Sequence, residues 1–319
     1  MRILLPLVLM LAGSIAGPAG AQGDFPSRTI KIVVPYPAGA INDGVARLVA
    51  DRLRQSLNAP VIVENRPGGG GIIGTEYVAK STPDGYTLLL EDAMTVLPAV
   101  KDLPYGPDEL TPVYGLATSP FALATRANLQ AKTFDELVGL AKRSPGEIKF
   151  GNTALGGPLH AGIGVIQERK GIELTLVPYR GMAPGLVDMI AGHIDMLIVS
   201  PSTIAPYIAS GKARAVMIAA EARSPDLPEV PTSAEIGLGD IFIRATIGVL
   251  APKRVPKPVL EKLESEIGKV ARDPGFQQQL ADLKLTPSPL ATEAYRSRLD
   301  HDRGFWNTAA KRLNIRIDN

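Results

Sequence analysis

Short apolar runs alternate with helical stripes along this chain, and that alternation limits its fold more than any other feature. The run 30–35 reads as a strand, and after Tyr36-Pro37-Ala38-Gly39-Ala40-Ile41-Asn42-Asp43 the residues Val45, Leu48, Val49, Leu53 and Leu57 mark one helical face. Strand 61–63, helix 72–80 and strand 86–90 repeat the pattern, the last after the turn Pro83-Asp84-Gly85. Such β-α-β order predicts a parallel sheet with helices on its faces. Binding loops then belong at the carboxyl ends of the strands.

A second set follows. Strand 121–125 leads to Thr133, which caps helix 134–143 with Glu136 at the capping-box position. Strand 148–150, loop 151–158 and helix 159–170 come next, then strand 174–178, loop 179–184 and helix 185–191. Strand 194–199, helix 204–209 and strand 214–220 complete the set, and a proline-rich connection spans 224–237. A buried strand is expected at 242–250, with amphipathic closing helices near 258–272 and 292–313. Segments 113–125 and 242–250 are candidates for two crossings between domains. The expected first domain is 22–122 plus 244–319 and the second 123–243, with a cleft between them.

The beginning reads as a secretory leader. Arg2 gives a positive start, 3–11 an apolar core, and Ala19-Gly20-Ala21 a cleavage site before Gln22. That core is too short to span a bilayer, and no other run approaches ~20 apolar residues. A periplasmic location follows as an expectation, with residues 1–21 removed after Ala21. The chain has no cysteine, so neither disulfides nor a lipidated cysteine contribute and packing must supply stability. A net charge of +2 over 319 residues, with no basic run, argues against nucleic acid and membrane surfaces as partners.

The segment Tyr36 to Asp43, including Ala38, Gly39 and Ala40, could hold an anion with loop amides and a helix N-terminus, Asn42 or Asp43 capping the helix. It could equally be an ordinary strand–helix turn. Asp43 reads as a cap rather than a contact, since an acid repels a carboxylate. Loop 151–160, with Asn152, Thr153, Ala154, Gly156, Gly157 and His160, could offer amides from the opposite side. Tyr179 and Arg180 open a third loop; Arg180 either bonds a carboxylate or is solvated. Ser200 follows a strand end, where Pro201 as a helix start explains its placement equally well. Asp92 and Ala93 follow the third strand. The stretch Gly69-Gly70-Gly71-Ile72-Ile73-Gly74 fits a dinucleotide fingerprint, but a lone fingerprint is weak, and a glycine turn beside the cleft competes with it. His160, His193 and His301 are the three histidines, and neither H-E-x-x-H nor G-x-S-x-G is present. No catalytic residue, metal or cofactor is expected.

The chain resembles the extracytoplasmic solute receptors of the tripartite tricarboxylate transporter group, the Bug or TctC family. The matching pieces begin with Phe25-Pro26-Ser27-Arg28-Thr29-Ile30, Val33-Val34-Pro35-Tyr36-Pro37, Val61-Ile62-Val63-Glu64-Asn65-Arg66-Pro67-Gly68 and Pro83-Asp84-Gly85-Tyr86-Thr87-Leu88-Leu89. They continue with Val177-Pro178-Tyr179-Arg180-Gly181, Gly192-His193-Ile194-Asp195, Leu227-Pro228-Glu229-Val230-Pro231-Thr232 and Gly248-Val249-Leu250-Ala251-Pro252. The resemblance implies a two-lobed α/β periplasmic binding protein, type II-like and of the Venus-flytrap kind, closing a cleft on a small organic acid. It implies a monomeric receptor, not an enzyme, serving a membrane permease; presentation to a sensor kinase and a periplasmic enzyme are the alternatives. Three departures stand out: Ala38-Gly39-Ala40 where the family usually has Pro-Gly-Gly, Glu91-Asp92 after the third strand, and fewer hydroxyls in 152–160. A Cβ at Ala40 is expected to limit positive φ and narrow the pocket. Asp92, if it faces the cleft, is expected to pair with an amine or hydroxyl of the ligand.

Overall fold

A computed structural model describes residues 25–92, 102–152, 158–179, 181–239, 241 and 243–312. The first elements are β1 (Ile30–Val34), α1 (Ile41–Leu57), β2 (Val61–Asn65), α2 (Ile72–Ala79), β3 (Thr87–Glu91) and β4 (Leu110–Pro120). The middle of the chain gives β5 (Ala122–Arg126), α3 (Phe134–Arg143), β6 (Lys149–Asn152), α4 (Pro158–Lys170) and β7 (Thr175–Pro178). It continues with α5 (Met182–Ala191), β8 (Met196–Val199), α6 (Pro201–Ala209) and β9 (Ala213–Ile218). The last part holds β10 (Arg244–Pro252), α7 (Lys257–Arg272), α8 (Pro274–Asp282), β11 (Thr286–Leu290) and α9 (Thr292–Arg312).

The strands form two sheets, ordered β11-β4-β10-β3-β1-β2 and β7-β6-β8-β5-β9. Neither is wholly parallel, contrary to the sequence expectation. In the first, β1 runs parallel to β2 and β3, but β10 is antiparallel to β3 and β4, and β11 is antiparallel to β4. In the second, β6 is parallel to β7 and β8 while β5 is antiparallel to β8 and β9. Strands that carry the chain between sheets arrive from the other half, so no local crossover helix constrains their direction.

Alternation along each strand explains the layers. In the first sheet Ile30, Ile32 and Val34 pack with Val45, Val49 and Leu53 of α1, while Val33 and Leu89 turn to the other face with Val78 of α2 and Tyr295 and Leu299 of α9. In the second, Leu123, Phe150 and Ile198 meet Phe134 and Leu137 of α3 and Ile163 of α4. Trp306, Ala309 and Ala310 of α9 join that same core. Its opposite face joins Ala122, Leu197 and Val199 to Leu186 of α5 and Ile204 of α6. One helix, α9, thus belongs to a core of each half.

The predicted cap at Thr133 is present: the Glu136 amide donates to Thr133 Oγ1 at 3.2 Å. The return bond differs by one residue, since the Glu136 carboxylate accepts from the amide of Lys132 at 2.6 Å. The chain crosses between sheets at Phe121, whose amide donates to the Ile243 carbonyl at 3.0 Å and whose carbonyl accepts from Ala219 at 2.8 Å.

Candidate functional site

Strand β1 ends at Val34, and the chain turns through Tyr36 and the exposed Ala38 into α1. Gly39 has φ +84°, which only glycine adopts freely. Ala40 is the N-cap, at φ −67° and ψ 161°. No positive φ occurs there for its Cβ to oppose. Ala40 offers no side-chain cap, so Asp43 serves from the first turn. Its carboxylate accepts from the Gly39 amide at 2.9 Å, from Arg47 at 3.0 Å with both oxygens, and from Asn65 Nδ2 at 3.0 Å. Burial alone would raise the Asp43 carboxyl; the bonds from Arg47, Gly39 and Asn65 outweigh it and hold the group below its usual range. Asp43 is thereby fully engaged by its own loop.

The Tyr36 hydroxyl lies 2.6 Å from Asp92 Oδ1 and 3.1 Å from Glu91 Oε1. Asn42, which is buried, bonds the Asp92 carboxyl from the first turn of α1. Glu91 is 2 % exposed and Asp92 is half-buried. A phenol carries one proton, so it donates to only one of the two carboxylates at a time. Burial, then the charges of Glu91 and Asp92, raises the Tyr36 hydroxyl far above its ordinary value. Burial likewise raises Asp92, against the bonds from Tyr36 and Asn42. This end of the first sheet carries an acidic cluster tied together by the Tyr36 hydroxyl. Asp92 is not a free acid awaiting a ligand, since Tyr36 and Asn42 already hold it.

The glycine run has a packing reason. Gly68 to Gly71 all have positive φ, and Gly71 is the N-cap of α2. A Cβ on Gly71 would come within 3.5 Å of Glu91 Oε2 and of the Tyr36 hydroxyl. A Cβ on Gly74 would lie 2.8 Å from the Arg66 carbonyl oxygen and from Pro35 Cα. The fingerprint pattern is a close-approach turn that lets α2 sit against β1.

On the second sheet, Asn152 ends β6 fully buried, and its carbonyl accepts from the Tyr179 amide at 2.8 Å. The Tyr179 ring packs over Gly151 and Gly185 and its hydroxyl donates to Asp188 at 2.6 Å. Burial first, then Asp188, pushes that hydroxyl up to about 12. Asp188 also faces His193 Nδ1 at 3.2 Å, a pairing absent from the sequence reading although both residues flank the C-terminus of α5. His160 is half-buried in α4, and burial lowers its value, favouring the neutral ring. Ser200 is the N-cap of α6 without a side-chain cap bond, its hydroxyl 2.6 Å from that of Thr203. Ala93, Thr153, Ala154, Gly156, Gly157 and Arg180 lie outside the described residues. Tyr36, Asn42 and Asp92 are thus brought together, as are Gly39 with Asp43 and Asn152 with Tyr179. Asn65 and Arg47 are network members that the sequence reading did not place; the i,i+4 spacing of Asp43 and Arg47 was the available signal.

Two grooves, of about 540 and 620 Å³, lie by α2 and the turn after it, lined among others by Arg28, Tyr77 and Lys80 and by Ser81, Lys253 and Arg254. Neither includes a predicted site residue. Among the described residues, no group of three or more His, Asp or Glu is placed to hold a metal ion, and no helix is long and apolar enough to cross a membrane.

Two sheets, each with its own helices, joined by paired crossing strands and bearing loops at strand ends, define a two-lobed α/β solute-binding protein. Residues 45–302 match the family described as tripartite tricarboxylate transporter family receptor, TctC, and the chain belongs to it. It is 34% identical over 310 residues to the protein BugT of Bordetella pertussis, covering 95% of this chain and 93% of BugT. A TctC solute-binding protein from Polaromonas, solved without ligand, superimposes with a TM-score of 0.82 at 25% identity, covering 90% of this chain and 99% of that one. R. palustris Rpa4515, solved with adipate, has a TM-score of 0.73 at 27% identity, over 92% of this chain and 99% of that one. The family is one of receptors, and the Polaromonas neighbour is a solute-binding protein.

Proposed function

We propose that this protein is a periplasmic receptor, freed of residues 1–21, that closes its lobes on a small organic acid and delivers it to a tripartite tricarboxylate-type permease. The observation that carries the reading is the structural likeness, over 92% of this chain, to a neighbour solved with a dicarboxylate, adipate. The lobes are residues 22–122 with 244–319, and 123–243, the end of α9 reaching across. The ligand is held by neutral dipoles: the N-terminus of α1 on one lobe, beyond the Gly39 and Ala40 amides that Asp43 and Pro37 already engage, and the amides following Asn152 on the other. Binding drives closure because the ligand touches both lobes only in the closed form. No acid–base or nucleophile pair is proposed, and the receptor acts as a monomer.

The Tyr36–Glu91–Asp92 cluster refines the ligand class. It brings negative charge to one corner of the first lobe, so the favoured ligand turns a hydroxyl or ammonium group toward Asp92 and keeps its carboxylates on the amide dipoles. A thermal-shift series with adipate, malate, aspartate and glutamate tests the reading. The melting temperature should rise with the logarithm of ligand concentration, more for the hydroxy and amino acids than for adipate. A cooperative melt unmoved by every carboxylate would refute the receptor assignment, and a preference for adipate would refute the refinement alone.

A further inference from the structure

Helix α9 is tied to both lobes along its length. Tyr295 and Leu299 lie in a core of the first sheet, and Trp306, Ala309 and Ala310 in a core of the second. Charged groups follow the division with one exception, Arg298, whose guanidinium donates to Glu221 of the second lobe at 3.2 Å. Asp302 accepts from Arg244 of β10 at 2.9 Å and Arg303 lies 3.7 Å from Asp108, whereas Arg312 pairs with Glu168 of α4.

Gly304 stands between the two sets of anchors. It is helical and exposed, and a Cβ there would meet nothing within 4 Å. Neither a positive φ nor close packing accounts for a glycine at this position, and glycine weakens an exposed helix interior relative to alanine. The Thr308 hydroxyl donates to the Gly304 carbonyl at 2.9 Å. Hydroxyl bonds of this i−4 kind bend helices. The weakest turn of α9 therefore lies where its allegiance changes.

We propose that α9 is a strap joining the lobes and that Gly304 is its flexure, so that bending there sets how far the lobes swing apart. The two strand crossings pair with each other at Phe121 and form one ribbon pivot. Asp302 accepts from Arg244 beside that pivot, and a helix fastened to both bodies must bend there when they turn. Helix α4 packs directly on this pivot, because Gly162 admits Ile243 and Trp306 against it: a Cβ there would lie 2.3 Å from Ile243 Cδ1. The inference is independent of ligand identity.

The chain has no cysteine, so Ile62→Cys and Val187→Cys, at positions 46% and 66% exposed on β2 and α5, give a clean pair for spin labels. Pulsed dipolar spectroscopy on the ligand-free protein reads the spread of distances between the lobes. Gly304→Ala should remove the long-distance tail and raise the melting temperature by about 2 °C. Thr308→Val, which deletes the bending bond, should narrow the distribution in the same sense and serves if the first variant folds poorly. Gly139→Ala, inside α3 of the second lobe alone, should raise the melting temperature without altering distances. A stabilised Gly304→Ala with the parental distribution overturns the proposal, as does an equal narrowing in Gly139→Ala.

Discussion

Asp43 and Asp92 both contact the first turn of α1, and their surroundings push them in opposite directions. Asp43 meets a guanidinium, a backbone amide and a carboxamide, and three donors overcome burial. Asp92 meets a phenol already shared with Glu91, and burial prevails. A carboxyl raised on folding holds its proton more tightly in the folded than in the unfolded chain. Its contribution is complete below the ordinary value of 3.8 and is lost as pH rises through the folded value. Asp92→Asn, which keeps an acceptor for Tyr36 and removes the charge, should therefore raise the melting temperature more at pH 7 than at pH 4. Melts at the two pH values check this; an equal or reversed difference would show that Asp92 is an ordinary ionised acid. The acidic character of this corner was legible as Glu91-Asp92 in the sequence. Its geometry was not, because Tyr36, Asn42 and Gly71 reach it from three separate segments.

Among the elements, those with a strong period and a clear boundary were legible: β1, α1, α3 and α7 lie close to their expected spans. Strand β11 was not, because Thr286-Pro287-Ser288-Pro289-Leu290 carries two prolines and reads as a loop. It is tolerated as an edge strand, paired only with β4. Helix α8 was also missed. It spans nine residues behind the Asp273 cap with only Phe276 and Leu280 buried, too short for a period to declare itself. The glycine run misled in the other direction, since a turn that packs α2 on β1 needs the same residues as one that cradles phosphate. Gly74→Ala tests the packing account. The new Cβ would face backbone atoms of Arg66 and Pro35 that have little room to yield, so unfolding should become easier by about 1–3 kcal/mol. A denaturation midpoint equal to the parent's would mean that this glycine is not a contact requirement.

Over the whole molecule, the α/β class and the existence of two bodies followed from the count and alternation of strands. The sharing of α9 did not. A helix that serves one core with its first half and another with its second shows one continuous apolar stripe, and nothing in the period marks the change of partner. Trp306→Ala exposes the sharing. It should cost about 3–5 kcal/mol, with the loss confined at first to the second core. Hydrogen exchange should then quicken at Ile163 and Ile166 in α4 while Ile32 and Leu88 keep their protection. Uniform quickening would indicate a single cooperative body instead.

Strand β10 lies in the interior of the first sheet, between β3 and β4, yet it follows the entire second sheet in the chain. As the polypeptide emerges from the ribosome, β3 waits without its neighbour until more than 150 residues have passed from Glu91 to Arg244. The body begun earliest is thus finished last, and the inserted body has all its strands in hand sooner. Late completion leaves the early strands exposed to unproductive pairing during synthesis, and it makes Arg244–Pro252 the segment whose arrival commits the chain to its native shape.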